Sequence, residues 1–324
     1  MAGALLDITG LSVMFHTDDG PREVVHDISL RIGPGEILGL VGESGSGKSA
    51  TALAIMRLLA EQGRISAGRI ALDGVDLLGL DAEAMRAVRG RDVAMIFQEP
   101  MTSLNPLLTI GLQIEESLHA HLGLHGRQAR DRGIALLTEV GLPAGRYDAY
   151  PHALSGGQRQ RVMIAIAMAC APGLLIADEA TTALDVSVQA QILALMRRLR
   201  ADHGAAILLI SHDIGVIAQM ADRVAVMYAG EIVETAPAVS LLANPAHPYT
   251  KLLLDCIPTT RWRRARLPVI LGQMPEPGSV VAGCRFRERC PMALPVCAAQ
   301  PPRLEVRGDG RAVRCWRAGE VMTT

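Results

Sequence analysis

Aromatic residues are scarce: three Phe, four Tyr and two Trp make up 3% of 324 residues. Any core must therefore be aliphatic, and the 49% hydrophobic content supplies it. Net charge is nearly absent as well, at −1. A general nucleic-acid binder carries a basic excess, so this balance argues against that class. A disordered chain has fewer apolar residues and a larger net charge. Long hydrophobic runs are missing too. The longest charge-free apolar stretch, Val162 to Ala177, is short for a bilayer and is interrupted by Pro172-Gly173. The N-terminus, MAGALLDITG, has no basic start and no long apolar segment, and it already carries Asp7. No secretory signal is read there. These absences predict a cytosolic globular protein, long enough for one large domain and a smaller one.

What is present is unevenly spread. Cys170 and Cys256 are isolated, whereas Cys284, Cys290, Cys297 and Cys315 crowd near the C-terminus. Without a secretion signal, such a cluster reads as metal-binding before it reads as disulfides. Residues 251–324 hold 13 Lys and Arg against 6 Asp and Glu, while the rest holds 19 against 27. The charge shift predicts a boundary near residue 250.

Apolar patterning predicts strands over Leu5–Phe15, Val24–Ile32, Glu36–Val41, Val93–Phe97, Leu174–Ala177 and Ala206–Ile210. Hairpins are expected around Asp73-Gly74 and from Val224 to Glu234. Helical periodicity covers Lys48–Leu59, Ile110–Gly141, Ser155–Cys170 and Val188–Leu199. From Pro248 onward little period is visible. Strands alternating with helices predict an α/β fold, with ligands beyond the carboxyl ends of the strands.

Two motifs fall at such ends. Gly42-Glu43-Ser44-Gly45-Ser46-Gly47-Lys48-Ser49 follows a predicted strand, opens a predicted helix and fits the phosphate-loop pattern G-x-x-x-x-G-K-[ST]. Its glycines let backbone N–H groups face a phosphate at a helix N-terminus. Lys48 would reach the β- and γ-phosphates, and the Ser49 hydroxyl would ligate Mg²⁺. The second motif ends the strand Leu174–Ala177 with Asp178-Glu179. Asp178 suits Mg²⁺, and Glu179 suits a general base acting on water.

A third segment, Leu154-Ser155-Gly156-Gly157-Gln158, places Ser155 as the cap of a helix whose N–H groups offer a second anion site. Two cradles in one chain suggest two chains head to tail, each completing the other's site. Here the sequence resembles the nucleotide-binding subunits of ATP-binding cassette transporters, over residues 5 to about 235. The resemblance implies a phosphate-loop cassette over residues 1–250, with a helical subdomain about 100–170. It implies ATP and Mg²⁺ as cofactors, ATP held by Gly42 to Ala50, and Ser155–Gln158 acting in trans. Phe15 falls where the family stacks an aromatic on adenine, although it also fits an ordinary strand aromatic. Gln98, in Phe97-Gln98-Glu99-Pro100, matches the loop that touches Mg²⁺ and senses the membrane partner. Asp185, in Ala183-Leu184-Asp185, matches the dimer-interface loop, and His212 matches the residue that contacts the γ-phosphate. Gln98 and His212 also fit polar caps at strand ends. The family's proline after the catalytic glutamate is Ala180 here, which is expected to preserve activity while altering its rate.

The stretches FQEPMTSLNP (Phe97–Pro106) and AHPYT (Ala246–Thr250) narrow the resemblance to dipeptide, oligopeptide and nickel importers. It then implies an ATPase peripheral on the cytoplasmic face of the inner membrane. The implied partners are a second ATPase subunit, two permeases and a solute-binding protein, with no nucleic acid. In that group the extension 251–324 carries cysteines that in some members hold a four-iron four-sulfur cluster. Cys284, Cys290, Cys297 and Cys315 are therefore read first as ligands of such a cluster, then as unligated or disulfide cysteines, then as a zinc site. Arg261, Arg263, Arg264 and Arg266 read as a solvated charged run or as a contact for anionic headgroups. Cys170, Met163 and Met168 read as core. Two other functions stay open. One is a soluble cassette ATPase acting on DNA or ribosomes, against which the gap of about 105 residues from Ser49 to Leu154 leaves no room for a long coiled coil. The other is a metal-sensing regulatory subunit.

Overall fold

A computed structural model describes residues 3–98, 103–181, 184–257, 269–279, 281–308, 310–318 and 320. Glu99, Pro100, Met101, Thr102, Ala183 and the arginines at 261, 263, 264 and 266 lie outside the described residues. In chain order the strands are β1 (Leu6–Thr17), β2 (Gly20–Ile32), β3 (Ile37–Val41), β4 (Gly63–Leu72), β5 (Val75–Asp76), β6 (Val93–Ile96), β7 (Leu174–Asp178), β8 (Ala206–Ser211), β9 (Arg223–Tyr228), β10 (Glu231–Pro237), β11 (Glu305–Val306) and β12 (Ala312–Val313). The helices are α1 (Lys48–Ile55), α2 (Ala82–Val88), α3 (Ile110–Leu122), α4 (Gly126–Glu139), α5 (Gly156–Met168), α6 (Val186–His203), α7 (Ile214–Met220), α8 (Ala238–Ala243), α9 (Pro248–Asp255) and α10 (Pro295–Ala299).

The chain divides into two compact units. One comprises Met1–Leu6, Arg31–Glu36 and Ala71–Ile210. In it β6, β7 and β8 run parallel, with Val93 opposite Leu174 and Leu174 opposite Ala206. All five residues of β7 are buried, which suits the central strand of three and explains its unbroken apolar run. The helical pattern from Ile110 to Gly141 resolves into α3 and α4. Gly123, at φ 62, ends α3 in the left-handed conformation that glycine adopts without a Cβ clash. Helices α3, α4 and α5 pack on one another. Tyr147, one of the few aromatics, fills the notch they leave. A Cβ at Gly111 would lie 2.2 Å from its ring and one at Gly133 2.8 Å, so both helices need glycine there. Met163 and Met168 are buried, as the sequence predicts.

The other unit comprises Asp7–Leu30, Ile37–Ile70 and Ser211–Thr324. One of its sheets orders β2, β1 and β4. The second runs β3, β9, β10, β12 and β11, with β3 and β9 parallel and the rest antiparallel. The tail thus supplies two strands and two helices that periodicity does not announce. Strands of two residues and helices of eight and five are too short to display a period.

The segment AHPYT is what ties the tail down. Glu234 of β10 is fully buried and accepts the N–H groups of Ala246 (2.8 Å) and His247 (2.9 Å). Arg311, just before β12, approaches the same carboxylate at 3.6 Å. His247 caps α9 by accepting the Tyr249 N–H at 3.0 Å on Nδ1. Burial pushes the imidazole down to about 3, against a weaker upward pull from a hydrogen bond to the Arg314 backbone. It is therefore neutral at physiological pH, with Nδ1 as acceptor and Nε2–H as donor. Replacing Glu234 by Ala leaves two buried N–H groups and a buried guanidinium without this acceptor. Chemical denaturation should show a loss of about 3–5 kcal/mol; a loss below about 1 kcal/mol would exclude this anchoring role.

Candidate functional site

The phosphate loop follows fully buried β3 and opens α1. Gly42 sits where a Cβ would lie 2.1 Å from the Met227 carbonyl oxygen, so the backbone packs too closely for any side chain. Gly45 and Gly47 have φ 80 and 105, a region that glycine alone enters cheaply. The loop wraps its own lysine. Lys48 Nζ donates to the carbonyls of Gly42 and Glu43, both at 2.9 Å, and lies 3.4 Å from Ser46 Oγ. Its side chain is buried. The Gly230 N–H donates to the Ser46 carbonyl at 2.9 Å, securing the far side of the turn. Phe15, on β1, is half-buried with its ring over Gly63, where a Cβ would lie 2.7 Å away. His212 follows β8 and is exposed, while its neighbour Asp213 caps α7 through the Gly215 N–H at 2.8 Å.

In the other unit, Asp178 ends β7 and is buried. Glu179 follows with φ 47, an unusual region for a side chain with a Cβ and a form of strain common at functional sites. Its N–H donates to the Ile210 carbonyl at 3.0 Å, and its carboxylate accepts Gln98 Nε2 at 3.0 Å. The structure thus joins two residues that the sequence holds 81 positions apart. A proline at 180 would steer residue 179 toward extended backbone, so Ala180 is compatible with the conformation seen.

Ser155 caps α5 in a reciprocal box. The Ser155 N–H donates to Gln158 Oε1 at 3.1 Å, and the Gln158 N–H donates to Ser155 Oγ at 3.3 Å. Gly156 and Gly157 occupy the first two helical positions, whose N–H groups have no carbonyl within the helix. Gly157 also lets α6 approach, since a Cβ there would lie 2.6 Å from Val188. Leu154 is buried. Asp185 caps α6, accepting Ser187 N–H and Val188 N–H, each at 3.0 Å. These bonds, led by that from Val188, hold its carboxyl below the usual range.

Cys284, Cys290, Cys297 and Cys315 all line one cavity of about 10 Å³, room for about one water. All six cysteines are free, and burial together with Cys297 and Cys315 pushes Cys284 up to about 11. Among the described residues no three His, Cys, Asp or Glu side chains are placed to hold a metal ion. The iron–sulfur and zinc readings are therefore unsupported: the four thiols line one cavity, but no three of them are placed to share an ion. A cavity of about 500 Å³, lined among others by Leu5, Leu72, Leu77 and Arg91, contains none of the motif residues.

Sequence reasoning missed the partners of Glu43. Its N–H donates to the Tyr249 hydroxyl at 3.0 Å, and its carboxylate accepts Arg289 Nη1 at 3.0 and 3.1 Å. Tyr228, Tyr249 and Phe286 cluster beside them with ring centres 4.7 to 5.3 Å apart. No local signal marks Arg289, because its partner lies 246 residues away.

A glycine loop caging its lysine after a buried strand, in a chain with a strand-end acid pair, defines a phosphate-loop nucleotide-binding protein. Residues 25–182 match the family described as "ABC transporter", and residues 233–297 match "Oligopeptide/dipeptide transporter, C-terminal region". The chain belongs to the ABC transporter ATP-binding family, in the branch that carries this C-terminal region. It is 51% identical over 313 residues to a Brucella abortus relative named "Putative peptide import ATP-binding protein BAB2_1052", covering 96% of this chain and 94% of that one. A Brucella ovis relative of the same description is 48% identical, covering 98% of each chain. A solved ATP-binding cassette dimer, in a post-hydrolysis state with ADP and phosphate, superposes with a TM-score of 0.66 at 27% identity, covering 72% of this chain and 98% of that chain. A cassette from Clostridium perfringens shares the fold, with a TM-score of 0.65 at 24% identity, covering 74% of this chain and 91% of that chain.

Proposed function

We propose that this chain is the ATP-hydrolysing nucleotide-binding subunit of a peptide importer of the ABC type. The observation that carries the reading is similarity at about half identity along nearly the whole chain, phosphate loop and C-terminal region alike. Lys48 and the loop N–H groups would hold the ATP phosphates, and Ser49, Asp178 and Gln98 would hold Mg²⁺. The metal ion supplies charge neutralisation at the transferring phosphoryl group. Glu179 acts as the base toward water, His212 meets the γ-phosphate, and Phe15 stacks on adenine. Ser155–Gln158 reach the ATP of a second subunit, with Asp185 at the dimer contact.

The working assembly is two such ATPases, two permeases and a solute-binding protein, with this chain on the cytoplasmic face of the inner membrane. Among the described residues no helix is long and apolar enough to cross a membrane. Leu107 is 83% exposed and Leu112 49% exposed beyond Gln98, apolar surface suited to a permease. Gln98 is itself hydrogen-bonded to Glu179, so a permease contact at the Gln98 loop would bear on the base. No observation favours the DNA or ribosome reading, and metal sensing lacks a donor group among the described residues. The test is co-expression with candidate permeases from the same genome. The chain should co-purify with them and show Mg²⁺-dependent ATPase activity that rises with peptide-loaded binding protein. Co-purification with nucleic acid or ribosomes instead would overturn the assignment.

A further inference from the structure

The C-terminal extension is built into the phosphate loop. Arg289 is 5% exposed, an unusual burial for arginine that demands compensation. Its Nη1 contacts both oxygens of Glu43, and its Cζ lies 5.7 Å from the Tyr228 ring centre. The remaining donors bind the tail itself, Nε to the Leu271 carbonyl at 3.1 Å and Nη2 to the Ile270 carbonyl at 3.4 Å. Three residues on, Met274 reaches the loop, where its methyl would meet a Cβ on Gly45 at 3.2 Å. Tyr249 takes the Glu43 N–H. Phe286, buried beneath this contact, packs on Tyr228 and Tyr249. Three of the chain's nine Phe, Tyr and Trp residues pack at this junction.

The chemistry of the loop gives the contact a purpose. Glu43 is an acid in the second position of a loop that binds polyanions. Unneutralised, its carboxylate would repel phosphates at short range. We propose that Arg289 of the C-terminal extension is a positioning residue for ATP, cancelling the charge of Glu43 and, with Tyr249, fixing the start of the phosphate loop. This rests on the reading of Gly42–Ser49 as an ATP site and goes beyond it by making the extension part of that site.

Charge and packing can be separated by titrating Mg²⁺-ATP into the full chain by calorimetry, alongside thermal unfolding. Arg289→Gln should weaken ATP binding about tenfold, the scale of one uncompensated charge near the phosphates. Arg289→Lys keeps the charge and should stay within about twofold, although it loses the tail carbonyl bonds. Adding Glu43→Gln to Arg289→Gln should recover most of the affinity. Arg289→Met keeps the stem packing but not the charge, and it should weaken ATP as much as Arg289→Gln; it decides the matter if Arg289→Gln does not fold. The proposal is overturned if Arg289→Gln, or Arg289→Met in its place, binds like wild type, or if the second substitution recovers nothing. Wild-type protein binding ATP no better than Lys48→Ala would instead overturn the ATP-site reading itself.

Discussion

Glu179→Gln should lower the ATPase turnover number at least about hundredfold, the range expected when a general base is removed, while ATP still binds within a few-fold of wild type. The structure separates chemistry from packing at this residue. Glu179 is held by its own backbone, through the Ile210 carbonyl and a φ of 47. Glutamine has the same shape and can still pair with the Gln98 amide. What it lacks is the carboxylate's negative charge and basicity, which polarise water and take its proton. In the proposed arrangement ATP closes two subunits around the signature segment and hydrolysis reopens them, so the variant should accumulate as an ATP-bound dimer in size-exclusion chromatography. Normal turnover would sink the assignment of the base. A monomer at saturating ATP would sink the shared-site arrangement.

The second large effect concerns binding. Lys48→Ala should weaken ATP at least about hundredfold, or about 2.7 kcal/mol. Two losses combine. The ammonium charge facing the phosphates disappears, and the carbonyls of Gly42 and Glu43 lose a charge-assisted donor that each holds at 2.9 Å. The second loss loosens the loop before any ligand arrives. Lys48→Met, which preserves stem packing, should bind as poorly as alanine while retaining more thermal stability. Wild-type affinity in either variant would remove Lys48 from the phosphate site.

Most of the nucleotide machinery was legible because its physics is short-range. A strand, a glycine turn and a helix start occupy consecutive residues, so Gly42–Ser49 is readable as a string. The same holds for Ser155 and Gln158, whose reciprocal cap spans three positions. The roles proposed for Gln98 and His212 rest on resemblance alone, since a polar residue at a strand end has no pattern of its own. The four cysteines show the limit of spacing. Four thiols near a C-terminus suggested a metal, and the structure gathers them around a cavity without arranging three to share one ion.

The amino-acid sequence by itself determined the α/β class, the phosphate loop, the acid pair and the capped signature helix. Each depends on neighbours within a few residues or on a repeating apolar period. Only the tertiary structure decided what the basic, cysteine-rich tail does. It adds β12 beside β10, is anchored by buried Glu234, and presses Arg289 onto Glu43. Those contacts join residues tens to hundreds of positions apart. Hydrogen bonding and charge pairing over such separations leave no period in the sequence, and they exist only once the chain has closed on itself.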